Sequence, residues 1–263
     1  MKHLADRFFV YLRLYACYIK LNYFRALAYR ADFLIGLVIN TFGALILFYF
    51  YDTVFEKIEM LGTWDKARAM LLVGSYIIVE SAYIAFAFHS ISELPKLIVH
   101  GELDSYLLRP ISTTALLILR EIDFGSLISG IFGVGLIVAY SSAISVWQIV
   151  HFIFAVTLGF IFLSLVLLLL MSLAFWWGRV DEFRDLLSWT MELGSKPAAV
   201  YPPVIRNLLY WIFPIFLMAN VPAEILAGER YGALLFLPVI IALYLLHTAI
   251  WSLGLKKYQS GSH

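Results

Sequence analysis

Glu80 sits midway through MLLVGSYIIVESAYIAFAFH (70–89), a twenty-residue apolar run in which it is the only carboxylate. Inserting a carboxylate there costs about 2.5–3.5 kcal/mol on translocon scales, so such a group faces protein or water rather than lipid. Three roles are open to it: lining a substrate path, carrying a proton, or pairing with a polar group on another helix. Asn40 and His247 repeat the case more weakly in two other apolar runs.

Other chemistry is hard to find. The six histidines are scattered with no His-Glu-x-x-His, and no serine lies in a nucleophile-elbow context. The single cysteine, Cys17, excludes a disulfide within the chain and a cysteine-based metal cluster. No Gly-x-x-x-x-Gly-Lys-Ser/Thr occurs, so the chain has no phosphate cradle of its own. The expectation is a protein without catalytic residues, metal or cofactor. A formal charge of +1 gives no case for nucleic acid.

The elements that would position Glu80 follow from composition. With 62% hydrophobic and 14% charged residues and a mean hydropathy of +0.87, this chain carries more apolar surface than a water-soluble domain of 263 residues can bury. Lipid is then the solvent, and a helix needs about 20 apolar residues to cross it. The predicted class is all-α: a polytopic membrane protein with six transmembrane helices and an N-terminal amphipathic interfacial helix. Residues 1–30 form the interfacial helix and 31–263 the six-span domain. The spans are Asp32–Tyr51, Met70–His89, Phe124–Ser142, Val146–Trp177, Asn207–Pro222 and Tyr231–Leu255. Trp147 and Trp177 would lie ~45 Å apart on a straight helix, matching two headgroup-level belts. In 1–30, Leu4, Phe8, Tyr11, Tyr15 and Tyr18 recur at helical spacing, while Arg7, Arg13, Lys20, Arg25 and Arg30 break every apolar window. No cleaved signal peptide is expected.

The fifth span is short and interrupted by Pro214, so a re-entrant hairpin competes with a tilted crossing. Charge arbitrates. Six crossings with both termini cytoplasmic leave only Lys57, Lys66, Arg68 and Arg230 outside, out of nineteen Lys and Arg. That arrangement puts 90–123 and 178–206 in the cytoplasm. The second of these stretches reads as a cytoplasmic or interfacial helix ended by Gly194 and Pro197.

In the first, HGELDSYLLRPIS (100–112) packs a glycine, charges and a proline into thirteen residues. Gly101 permits a break, Pro110 stops the next helix, and Leu103, Tyr106 and Leu107 share a face at i, i+3, i+4. A small rigid protrusion results, which either rests on lipid or docks a soluble partner. In the third span, Ser126 with Gly130 and Ser129 with Gly133 allow close helix approach.

HGELDSYLLRPIS resembles the Gly-Glu-Leu-Asp…Leu-Leu-Arg-Pro signature of bacterial ABC-2-type permeases, the membrane subunits of ABC exporters. The resemblance continues in SLAFWWGRVDEF (172–183), YPPVIRNLLYWIFPIFLMANVPAEILAGE (201–229) and WSLGLKKYQS (251–260), departing mildly in the terminal GSH. It implies that the 90–123 loop carries a coupling helix fitting a cleft on an ATP-hydrolysing subunit. That role would fall on Glu102, Leu103, Asp104, Leu107, Leu108 and Arg109. It also implies a separate ABC ATP-binding subunit, in two copies, holding ATP and Mg, and a second permease, with a heterodimer preferred to a homodimer. The location implied is the bacterial inner membrane. Glu80, Asn40 and His247 are the substrate-pathway candidates. Two rivals remain: a stand-alone secondary transporter or channel using Glu80, and a lipid-directed membrane enzyme, which lacks the clustered groups it would need.

Overall fold

The computed structural model describes residues 2–109, 112–229 and 232–258, apart from the side chains of 2–12 and Leu119. Helix α1 (Lys2–Ala28) is continuous. It meets α2 (Arg30–Lys57) at Tyr29, whose φ of −105° and ψ of 59° break the helical path. Only Ala44 and Tyr51 of α2 are buried. An apolar helix of 28 residues with so little packing leaves its surface to lipid or to another chain.

The centre of the bundle is α3 (Lys66–Tyr83), buried around most of its circumference. One π turn, Ile84–Phe88, carries it into α4 (His89–Ser92) and α5 (Leu94–Val99). The wide turn leaves the Ala85 carbonyl to accept from Asp123 N–H at 3.0 Å. The short α6 (Asp104–Leu107) and α7 (Thr113–Leu119) lead to α8 (Phe124–Tyr140), which runs antiparallel against α3. There a Cβ on either Gly74 or Gly133 would come 2.8 Å from the other's carbonyl oxygen. Ser81 and Ser129 hydroxyls bond at 3.0 Å beside them. The small residues of α8 are thus spent on packing within one chain.

Ser145 and Gln148 form a capping box that starts α9 (Val146–Ser172). It continues through α10 (Ala174–Trp177) to Gly178, whose φ of +72° turns the chain. Trp147 and Trp177 are both exposed. Then follow α11 (Asp181–Gly194), α12 (Pro203–Trp211), α13 (Asn220–Leu226) and α14 (Leu237–Lys257). Arg30–Lys57, Lys66–Val99, Val146–Trp177 and Ala233–Lys257 are long and apolar enough to cross a membrane; α8 is apolar but has 17 residues.

The expected fifth span is not one helix. Residues 207–222 comprise the end of α12, a bend at Pro214, a 3-10 turn Ile215–Met218 and the start of α13. Pro214 lacks the N–H that would continue α12, and the chain reverses there. The hairpin enters and leaves at one end of the bundle. At its start, Ala199 lies against Gly62. At its finish, Gln148 donates to the Ile225 and Leu226 carbonyls, and Glu229 pairs with Arg68 at 2.5 Å. Its tip reaches inward, where Leu217 O lies against Gly159.

The same contacts correct the position of 178–206. Asp181 and Arg184 act on Lys96 at the Gly101 end, whereas Tyr51 donates to Ser195 O at 3.0 Å near the opposite end. The segment 181–201 therefore traverses the bundle instead of lying on one side. Its charges hid this: Asp181, Glu182, Arg184 and Asp185 fill the first turns, at the end where headgroups rather than chains would surround them. Lys196 and Arg206 accordingly move to the end that holds Lys57, Lys66 and Arg68. In the last helix, Tyr231 lies outside the described residues, and a 3-10 turn, Ala233–Phe236, precedes α14.

Candidate functional site

The 94–109 segment is built around one buried side chain. Helix α5 stops at His100, and Gly101, at φ +73°, reverses the chain with its N–H on Ile98 O. Leu103 N–H then bonds Leu97 O at 3.1 Å, and the Leu103 side chain is 0% exposed. One helical turn later Leu108 is 86% exposed. Val99, His100, Glu102, Ser105, Leu107 and Arg109 are exposed with it, and Asp104 is half-buried. The six expected coupling residues therefore divide: Leu103 anchors the turn, while Glu102, Leu107, Leu108 and Arg109 form its surface. Pro110 lies outside the described residues.

Two distant elements brace this knob. The Arg109 guanidinium stacks over the Tyr106 ring, 5.5 Å from its centroid, and donates to the Tyr18 hydroxyl of α1 at 3.3 Å. From the other side, the Tyr258 hydroxyl is buried close to Asp104. Burial first, and then the Asp104 carboxylate, push that phenol's pKa up. Tyr258 packs on Phe175, which leans on Gly254 so closely that no Cβ fits there. The tail after α14 is thus part of the knob's support. Its only sequence signal was the resemblance of the Tyr-Gln-Ser stretch.

The three polar candidates within the bundle are not brought together. Asn40 donates to Ser126 Oγ at 2.9 Å, tying α2 to α8. His247 is buried beside Trp251, its Nδ1 without a hydrogen-bond partner. Glu80 is half-buried and accepts from the Tyr76 hydroxyl at 3.1 Å, one turn away. An acidic neighbour was missed in the sequence: exposed Glu192 of α11 lies within electrostatic reach of Tyr76. It escaped notice because 181–201 did not read as a crossing segment. Among the described residues, no group of three metal-ligating side chains occurs.

A second polar cluster joins the α1–α2 elbow to residues 120–124. Buried Asn22 donates to the Tyr18 and Arg120 carbonyls, and Arg25 pairs with Glu121 at 2.9 Å. Asp123 caps α8 through Gly125 N–H at 2.8 Å and Ser126 Oγ at 2.6 Å, with His89 Nε2 at 3.7 Å. Burial pushes its pKa up, but His89, Ser126 and the backbone of Gly125 and Ser126 outweigh that and hold it below its ordinary value.

The sequence profile of the ABC-2 family of transporter proteins matches residues 38–262. The chain belongs to that family. Neither the curated proteins nor the solved structures hold a match. Membership and the long apolar helices make it a multi-pass membrane protein and a component of ABC transport.

Proposed function

We propose that this chain is the permease subunit of an ATP-driven exporter, gripped at its 99–109 knob by a separate ATP-binding subunit. The observation that supports the reading most is the pairing of buried Leu103 with exposed Leu107 and Leu108. A solvent-facing apolar tip on a rigid base suits a cleft in another protein better than it suits water. The sequence has no P-loop, so in this reading ATP and Mg are held by that partner, in the two copies the family resemblance implies.

Six passes run through the bundle in this reading: α2, the α3–α5 rod, α8, α9–α10, α11 with 195–201, and α14. The 203–229 hairpin dips in from outside. Both termini and the knob are then cytoplasmic, as the positive charge near them favours, in a bacterial inner membrane. The sparsely buried α2 faces lipid or a second permease, which differs from this one in a heterodimer. ATP-driven closure of the partner moves the knob, and with it α5, α10 and α14, so that two states make different contacts. Glu80, with Tyr76 and Glu192, is the pathway candidate retained; Asn40 is engaged by Ser126 of α8, and His247 lies buried beside Trp251.

The test is co-purification from membranes with the cognate ATPase. Leu108→Asp with Glu102→Lys should abolish it while leaving the amount of folded permease unchanged, since both side chains are exposed. Retained association and transport would overturn the docking. Ion-gradient-driven transport in liposomes by this chain alone would overturn the exporter reading in favour of a secondary transporter.

A further inference from the structure

The elbow between α1 and α2 borders an open cleft of about 600 Å³, within the 300–1,000 Å³ typical of small-molecule sites. Its lining mixes charged side chains, Arg25, Asp32, His89, Glu121 and Asp123, with apolar ones from the same segments, among them Tyr29, Phe33 and Phe124. The geometry points to a binding site for the ammonium headgroup of a membrane amphiphile. This goes beyond the docking reading and shares with it only the assignment of this end to the inner membrane surface.

Charge selects the ligand. Three carboxylates face one guanidinium and one imidazole. Arg25 is already matched to Glu121, and Asp123 has its capping bonds and His89. Asp32 has no ion-pair partner among the described residues. Within the lining itself carboxylates outnumber cations, and an ammonium finds in Asp32 a carboxylate outside any ion pair with aromatic rings beside it. The Arg25 guanidinium, 60% exposed, remains able to touch a phosphate on the same headgroup.

The way out suits an alkyl chain. On α2, Asp32, Gly36, Ile39, Gly43 and Ile46 recur at helical spacing, and a Cβ on Gly36 or Gly43 would meet nothing within 4 Å. From Asp32 to Ile46 the helix rises ~21 Å, from headgroup depth past the middle of a ~30 Å hydrocarbon layer. The stripe is a notched apolar track leading from the cleft. A bound amphiphile would also sit behind the knob, because Asn22 bonds Arg120 and Tyr18 meets Arg109 on the same elbow.

The test is equilibrium binding of fluorescent phosphatidylethanolamine and phosphatidylglycerol, with identical chains, to the purified full chain in non-ionic micelles. Saturable binding of the ethanolamine lipid, about tenfold tighter than the glycerol lipid, is expected. Asp32→Asn should weaken it about tenfold, the loss of one charge-assisted contact. Gly36→Leu should abolish it by filling the cleft; it adds a better helix former where there is open space, and its melting curve checks the fold. Free ethanolamine at millimolar concentration should not displace the lipid. Equal binding of both lipids, or indifference to both substitutions, would reduce the site to bulk solvation and overturn the proposal. Displacement by free ethanolamine would overturn the amphiphile. A Gly36→Leu effect confined to self-association would give the cleft to a protein interface and overturn it too.

Discussion

The Tyr51 hydroxyl, buried in α2, donates to the main-chain carbonyl of Ser195, 3.0 Å away and 144 residues on in the chain. This bond sets the end of the bundle to which α11 delivers the chain. It ties the least buried long helix to the segment whose charges disguised it.

Topology is therefore testable at Lys196. In a Cys17→Ser background, Lys196→Cys should react with a membrane-impermeant maleimide added outside intact spheroplasts, and Ser105→Cys should react only after permeabilisation. The reverse pattern at Lys196 would return 178–206 to the cytoplasmic side. Tyr51→Phe should destabilise the fold by about 1–3 kcal/mol, because it leaves a buried carbonyl unpaired.

Leu103 and Leu108 should separate folding from docking. Leu103→Ala removes a fully buried side chain and should cost about 2–5 kcal/mol, read as a lower melting temperature in detergent. Leu108→Ala should leave melting unchanged and weaken ATPase association. Equal melting losses would mean that the tip is packed rather than presented.

Gly254 should tolerate no side chain. A Cβ there would strike the Phe175 ring, so Gly254→Ala should destabilise by about 1–3 kcal/mol through overpacking. Gly43→Ala, facing open space, is the control and should be neutral or slightly stabilising.

Asp123 sets an acid dependence. Its pKa is held below the ordinary ~3.9, so its charge contributes stability throughout the range above that value. The contribution disappears as pH falls through the lowered folded-state value. Melting temperatures of the native chain and Asp123→Asn should differ at pH 7 and converge as the pH is taken below about 4. A gap that widens in acid would contradict the capping role.

The sequence made the long apolar helices and the Gly101 turn legible, because hydropathy and a positive-φ glycine are local properties. Yet Tyr18, assigned to the lipid-facing stripe, turns towards Arg109, while Ile19, Tyr23, Phe24 and Leu27 carry the exposed apolar surface. The re-entrant hairpin stood as the rejected alternative at Pro214. Counting charges favoured six crossings, and the count missed that α11 could supply the sixth. Leu103 and Leu108 look equivalent as letters; only the Leu97–Leu103 backbone bond separates anchor from tip. Asn40 and Ser126 are 86 residues apart, and no periodicity joins them.

Asn220 carries a last consequence. Fully buried, it accepts from Ala198 N–H and donates to the Gly194 and Lys196 carbonyls, closing the seam where α11 meets the hairpin. Prising that seam apart in a dry interior would strand three main-chain groups and an amide at once. Helix α2, with two buried side chains, is tied by one contact apiece through Asn40 to Ser126, Tyr51 to Ser195 and Asp52 to Lys66. A motion that opens the bundle therefore costs less at α2, where single ties must break, than at the Asn220 seam, where four polar groups lose their partners together.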